Sequence, residues 1–273
     1  MVLEALINPK QATGKPWEMY FIGILYSLLA VGLSYWVFRS YVSIVMVSMT
    51  AIATIPFIYT AVQTEENRSN WLQNFSLLRS HAKIVTIFLF LFLGFVTVYF
   101  TLFIFLPAET LPQIFQAQIE AITNVNGSTG NFISVWSAFS KIIFNNARIL
   151  FLCVLFSFFY GVGAMFILSW NASVMGVAIG DTIREGLRDA AASGLQVVST
   201  SLLGYFIHGL PEMIAFFIGG LAGGIASMAM IKEGIHSEKF MGAGRDALNL
   251  LCFAAVLLFF AALIEVFVSP NIL

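Results

Sequence analysis

His208 and Glu212 stand one helical turn apart in the pentapeptide His208-Gly209-Leu210-Pro211-Glu212, within a 33-residue apolar stretch from Ser199 to Ile231. An imidazole and a carboxylate at that spacing can hold or pass a proton. Ionisable side chains at bilayer depth commonly mark a path for a proton, an ion or a small solute. The same residues also suit a purely structural task. Pro211 lacks an N–H, crowds the carbonyl four residues before it and pushes Leu210 out of helical torsions, which predicts a break in the helix. A broken backbone survives in a membrane only where protein buries it or water reaches it. Glu212, in the first turn after Pro211, could meet the exposed N–H groups there, making the motif a buried clasp completed by His208 or an asparagine.

The other conspicuous polar groups are amides: Asn145 and Asn146 at the mouth of one apolar segment and Asn171 at its far end. Neutral Asn is a poor transition-metal ligand, and His208 has no His or carboxylate at one-turn spacing except Glu212, so no metal site is expected. Nucleophile-elbow, His-Glu-x-x-His and phosphate-cradling glycine patterns are absent, so neither an enzyme nor a cofactor is expected. Glu265 lies a few residues from Ser269, near enough to snorkel to the interface, and is left out of the site. Cys153 and Cys252 sit in apolar segments as small packing groups. Gly219, Gly220, Gly223 and Gly224 form overlapping small-xxx-small spacings that admit a close neighbouring helix, either from this chain, which we favour, or from a second copy in a homo-oligomer.

The elements that must position these groups follow from composition. Hydrophobic residues make up 59% of the chain and charged residues 10%, whereas soluble domains carry about 25% charged residues. With a mean hydropathy of +0.91, an all-α polytopic membrane helix bundle in contact with the lipid bilayer is predicted. About 20 apolar residues span a bilayer, which places crossings at Tyr20 to Phe38, Val42 to Val62, Ile84 to Leu106, Ile149 to Trp170 and Leu248 to Val268. Residues 1–106 thus read as an N-terminal three-helix region, 107–147 as an extracytoplasmic amphipathic segment, and 148–273 as a C-terminal membrane region. A net charge of −1 without basic runs gives no footprint for nucleic acid.

Lysine and arginine prefer cytoplasmic loops. With the N-terminus cytoplasmic, the thirteen of them divide seven to six if Ser199–Ile231 crosses fully, and ten to three if it returns to its starting face. The second division leaves Arg39, Lys141 and Arg148 outside and obeys the rule. It predicts a cell-membrane protein with about five full crossings, a broken re-entrant hairpin bending near Gly209, and an external C-terminus. Between the crossings, Leu111, Ile114, Phe115, Ile119 and Ile122, then Phe132, Val135, Trp136, Phe139 and Ile143, recur at helical spacing and predict two interfacial helices. Asn124 to Gly130 reads as the turn between them, and its Asn126-Gly127-Ser128 is a formal glycosylation acceptor of a kind common by chance. Gln63 to Ala82 reads as a short amphipathic helix and Asp181 to Leu195 as a solvated helix.

From Phe144 to Ile231 the sequence resembles the stage II sporulation protein M family. The resemblance rests on the paired amide Asn145-Asn146, the helix bearing Gly161 and Gly163, Asn171 with Gly176, and His208-Gly209-x-x-Glu212 followed by Gly219, Gly220, Gly223 and Gly224. The N-terminal helices and the Pro16-Trp17-Glu18-Met19 entry look like archaeal members of that family. In spore formers such proteins are membrane scaffolds that gather peptidoglycan-degrading enzymes and are not themselves hydrolases. The resemblance therefore implies a non-enzymatic scaffold with membrane or envelope partners. The wall-remodelling partners carry over only to an organism that has peptidoglycan.

Overall fold

A computed structural model describes residues 15–68, 77–127, 135–160, 163–188, 193–234 and 236–272, and these form eight α-helices with no strand among them. They are α1 (Glu18–Val37), α2 (Val42–Arg68), α3 (Leu77–Phe105), α4 (Leu111–Gly127), α5 (Val135–Tyr160), α6 (Ala164–Gly186), α7 (Gly194–Glu233) and α8 (Glu238–Phe267), closed by a 3-10 turn at Ser269–Asn271. Among the described residues, six helices (α1, α3 and α5 to α8) are long and apolar enough to cross a membrane, and α2 adds a shorter apolar run at Val42–Ile58. Helices are the form such segments must take, since each satisfies its backbone N–H and C=O groups internally where no water can. The all-α polytopic bundle is thus the observed fold.

Glycine and hydroxyl residues set how closely the helices approach. Gly23 and Gly94 bring α1 onto α3 so tightly that a Cβ on Gly94 would meet the Tyr20 carbonyl and the Ile24 nitrogen. Nearby, the Tyr20 hydroxyl donates to Thr97 Oγ1 at 3.2 Å. The helices α3 and α6 run side by side in the same direction: Gly176 faces Val96 to Phe100, Gly180 faces Phe100 and Phe103, and Arg184 donates to the carbonyls of Phe103 and Leu106 at 3.0 and 2.9 Å. The α5 and α7 pair is also parallel, with Leu150 against Gly219 and Val154 against Gly223. Between them α6 runs the other way, placing Gly186 on Val197, Thr182 on Tyr205 at 3.1 Å and Met175 on Gly209. The core is aromatic where α3 meets α7, with Phe88 stacked on Phe217 at 5.0 Å between ring centroids.

Arg184 places a fixed positive charge at the last carbonyls of α3, where the helix dipole is negative and the C=O groups lack intrahelical partners. Arg184→Ala is expected to lower the thermal midpoint of the purified protein, at a cost of about 1–2 kcal/mol. Arg184→Lys should recover part of the loss, since it keeps the charge without the two-pronged donor. Equal midpoints for wild type and Arg184→Ala would remove this role.

Several expectations are corrected. The stretch Ser199 to Ile231 is not a re-entrant hairpin: α7 runs unbroken from Gly194 to Glu233 through Gly209 and Pro211. The proline removes one helical hydrogen bond, but α5, α6 and α8 grip α7 on both sides of it, and tertiary packing outweighs a local loss of about 3 kcal/mol. Forty residues at about 1.5 Å each make α7 about 60 Å long, so it must extend past a hydrocarbon layer of about 30 Å. Its ends are set by Ser193, whose hydroxyl accepts from the Gln196 N–H at 3.2 Å, and by Gly234, whose φ of 76° suits only glycine.

The predicted crossing Ile149 to Trp170 is instead the end of α5, which closes at Tyr160, and the start of α6, which opens at Ala164 and runs antiparallel to it. From Val135 onward the predicted surface helix at Phe132 to Ile143 is the first turns of α5, which straddles the boundary expected at residue 147, while residues 132–134 lie outside the described residues. The expected helix from Asp181 to Leu195 is divided between the end of α6 and the start of α7. Lys141, in the first turns of α5, and Arg184 and Arg188, at the end of α6, consequently lie toward the same end of the bundle. The ten-to-three division of charges had separated them, so it no longer supports the hairpin or the orientation drawn from it. The other predicted surface helix is α4, but its apolar face packs on protein. Phe115 contacts Tyr99 and Phe103, and the buried Gln118 amide donates to the Ser43 carbonyl and Ser173 Oγ at 3.1 and 3.0 Å. Of the predicted helix at Gln63 to Ala82, the described ends belong to α2 and α3, while residues 69–76, and the residues after Gly127 in the predicted turn, lie outside the described residues.

Candidate functional site

The continuous α7 places His208 and Glu212 one turn apart, and each reaches a different partner. Asn146 of α5, buried at 5% exposure, donates its Nδ2 to Glu212 Oε1 at 2.5 Å. Glu265 of α8 stands beside Glu212, one turn before the Ser269 that meets His208. His208 Nδ1 lies 2.8 Å from Ser269 Oγ, with the donor set by the imidazole tautomer, and the His208 side chain also bonds the Gly204 backbone. Ser269 is buried and lies within weak bonding range of the Ile264 carbonyl, at 3.4 Å.

Sequence local to each helix explains the arrangement. The α7 and α8 helices are antiparallel and meet through pairs with the same four-residue step: His208 and Glu212 on one, Ser269 and Glu265 on the other. Gly209, between the two α7 residues, is buried against Met175 of α6, where a side chain would collide. Asn146 reaches Glu212 because α5 lies close along α7. Gly219 packs on Leu150, Gly220 on Ser157 and Ala164, and Gly223 on the Val154 backbone. These approaches are all made within the chain, and Gly224 is half-buried beside them.

The remaining candidates stay apart. Asn145 is exposed, and Asn171 donates to the Ile167 carbonyl of its own helix at 2.9 Å. Glu265 and Ser269 are the functional residues that sequence reasoning missed. Their one-turn spacing mirrors that of His208 and Glu212, a signal that becomes informative only once α8 is known to return along α7. Among the described residues no three His, Cys, Asp or Glu side chains gather as a metal site. Chemically, the cluster offers two neighbouring carboxyl groups, a neutral amide donor and an imidazole engaged with a hydroxyl. Together these join three helices and the final turn.

Neither the curated proteins nor the solved structures compared with this chain contain a match. The family model for stage II sporulation protein M matches residues 24–270. That span takes in the described portions of all eight helices except the first turns of α1, and with them every residue of the carboxyl cluster. The chain belongs to the stage II sporulation protein M family.

Proposed function

We propose that this protein is a non-enzymatic scaffold of the cell membrane, holding membrane or envelope partner proteins in place, with the cluster around Glu212 serving as the clasp that keeps its C-terminal helices in one arrangement. The observation that carries the reading is that Glu212 of α7 accepts from Asn146 of α5 while His208, one turn away, meets Ser269 just past α8. Polar groups spent on one another across helices fix a bundle. A scaffold depends on such fixity, because its partners bind a surface whose shape must not drift. Family membership supports the same role.

A second reading, transport of a proton or small solute, is favoured by two acids, Glu212 and Glu265, lying side by side within the bundle. It shifts the protonatable pair from His208 and Glu212 to the two acids. Reconstitution separates the two readings. Proteoliposomes holding the full chain should show no proton flux beyond that of empty vesicles under an imposed gradient, while the same chain crosslinked in native membranes should be recovered in complexes with other proteins. Proton flux that disappears with Glu212→Gln would overturn the scaffold reading.

A further inference from the structure

We infer that Gln118 and Ser169 hold one ordered water molecule in the seam where α4 packs against α2 and α6, a site separate from the clasp and independent of the scaffold reading. Both residues are at 0% exposure, yet Gln118 Oε1 and Ser169 Oγ are the two buried side-chain polar atoms without a hydrogen-bond partner among the described residues. Groups in that state cost free energy in a packed interior and call for a partner. Chemistry fixes the orientation of the Gln118 amide. Its Nε2 lies 3.1 Å from the Ser43 carbonyl oxygen, which can only accept, so the opposite atom must be the amide oxygen. Ser173 cannot serve that oxygen. Its hydroxyl accepts from Gln118 Nε2 at 3.0 Å and spends its one proton on the Trp170 carbonyl at 2.7 Å.

Ser169 stands one turn before Ser173 on the buried side of α6, which sets their Cβ atoms about 5–6 Å apart. The orphan hydroxyl is therefore one helical turn from the residue that receives the Gln118 amide. A serine within a helix often bonds back to a carbonyl of the preceding turn, as Ser173 does, but Ser169 does not. The missing partner must donate to an amide oxygen and meet a hydroxyl across a gap of that order. Water has both capacities and the reach. A cation fits poorly, because Ser43, Gln118, Ser169 and Ser173 are uncharged and an unpaired ion among them would be costly. The side chains placed to sense the water are Phe115, one turn before Gln118 on α4, and Tyr99, whose ring centroid lies 6.5 Å from that of Phe115; both are wholly buried.

The test is X-ray radiolytic hydroxyl labelling of the full chain in lipid nanodiscs, which marks side chains beside water, including water enclosed within a protein. In the wild type Phe115 should be labelled despite its burial. Gln118→Leu, which removes the acceptor, and Ser169→Ala, which removes the hydroxyl, should each lower that labelling several-fold while the exposed Met241 is labelled as before. Ser169→Ala deletes a single oxygen, so it keeps the test decisive if Gln118→Leu does not fold. An unlabelled Phe115 in the folded wild type overturns the proposal. So does labelling of Phe115 that persists at the wild-type level in Ser169→Ala.

Discussion

Glu212→Ala is expected to destabilise the folded bundle by about 2–3 kcal/mol, the larger part of it from the groups left behind. The substitution leaves the Asn146 amide and the Glu265 carboxyl facing a vacancy between helices, and a buried polar group without a partner costs about 1–3 kcal/mol. Hydrogen bonds between membrane helices are individually modest, averaging about 0.6 kcal/mol, because the unfolded chain in lipid also finds partners. That moderation applies to Glu212→Gln, which keeps an acceptor for Asn146 and a donor for Glu265, so its loss should stay below about 1 kcal/mol. Thermal or chemical unfolding in a mild detergent gives the ranking. A Glu212→Ala protein as stable as the Gln variant would show that the carboxyl joins nothing.

Gly94→Leu is expected to do comparable or greater harm, about 3 kcal/mol or more, enough to prevent the protein from accumulating in the membrane. Its side chain would enter the Tyr20 carbonyl and the Ile24 nitrogen, which are backbone atoms that cannot rotate away, so α1 must lift off α3. Gly32, on the partner helix α1, supplies the control. A Cβ there meets nothing within 4 Å, so Gly32→Leu should be neutral or gain the fraction of a kcal/mol that leucine's helix propensity offers over glycine. Comparing membrane yield and melting midpoint of the two leucine variants isolates the contact from the loss of glycine itself. Equal behaviour would mean that α1 is not seated on α3 at this pair.

How much of this was legible in the sequence depends on where the deciding contact lies. Apolar runs of bilayer length located the membrane helices because the cost of unsatisfied backbone in lipid is local to each segment. The division between α5 and α6 escaped because hydropathy stays high from Ile149 to Trp170, and no charged residue marks the boundary. Pro211 was read correctly as a missing hydrogen bond and wrongly as a break, since its helix is held by Asn146, Leu150 and Ser269, all distant in sequence. The site was half visible for the same reason. Glu212, His208 and Asn146 are conspicuous on their own segments, whereas Glu265 acquires its meaning only from an antiparallel neighbour.

The order of the helices along the chain also dictates a history. The clasp joins α5, α7 and α8, so synthesis delivers Asn146 first, Glu212 next and Glu265 last. During biogenesis the acid of α7 enters the membrane while its carboxyl partner is still unmade, with the earlier asparagine as its one companion from the finished cluster. The nascent bundle is completed only when α8 arrives, and the last turn brings Ser269 to His208. A chain cut short before α8 therefore leaves a newborn acid exposed to lipid, which gives the insertion and quality-control machinery a chemical mark of an unfinished molecule.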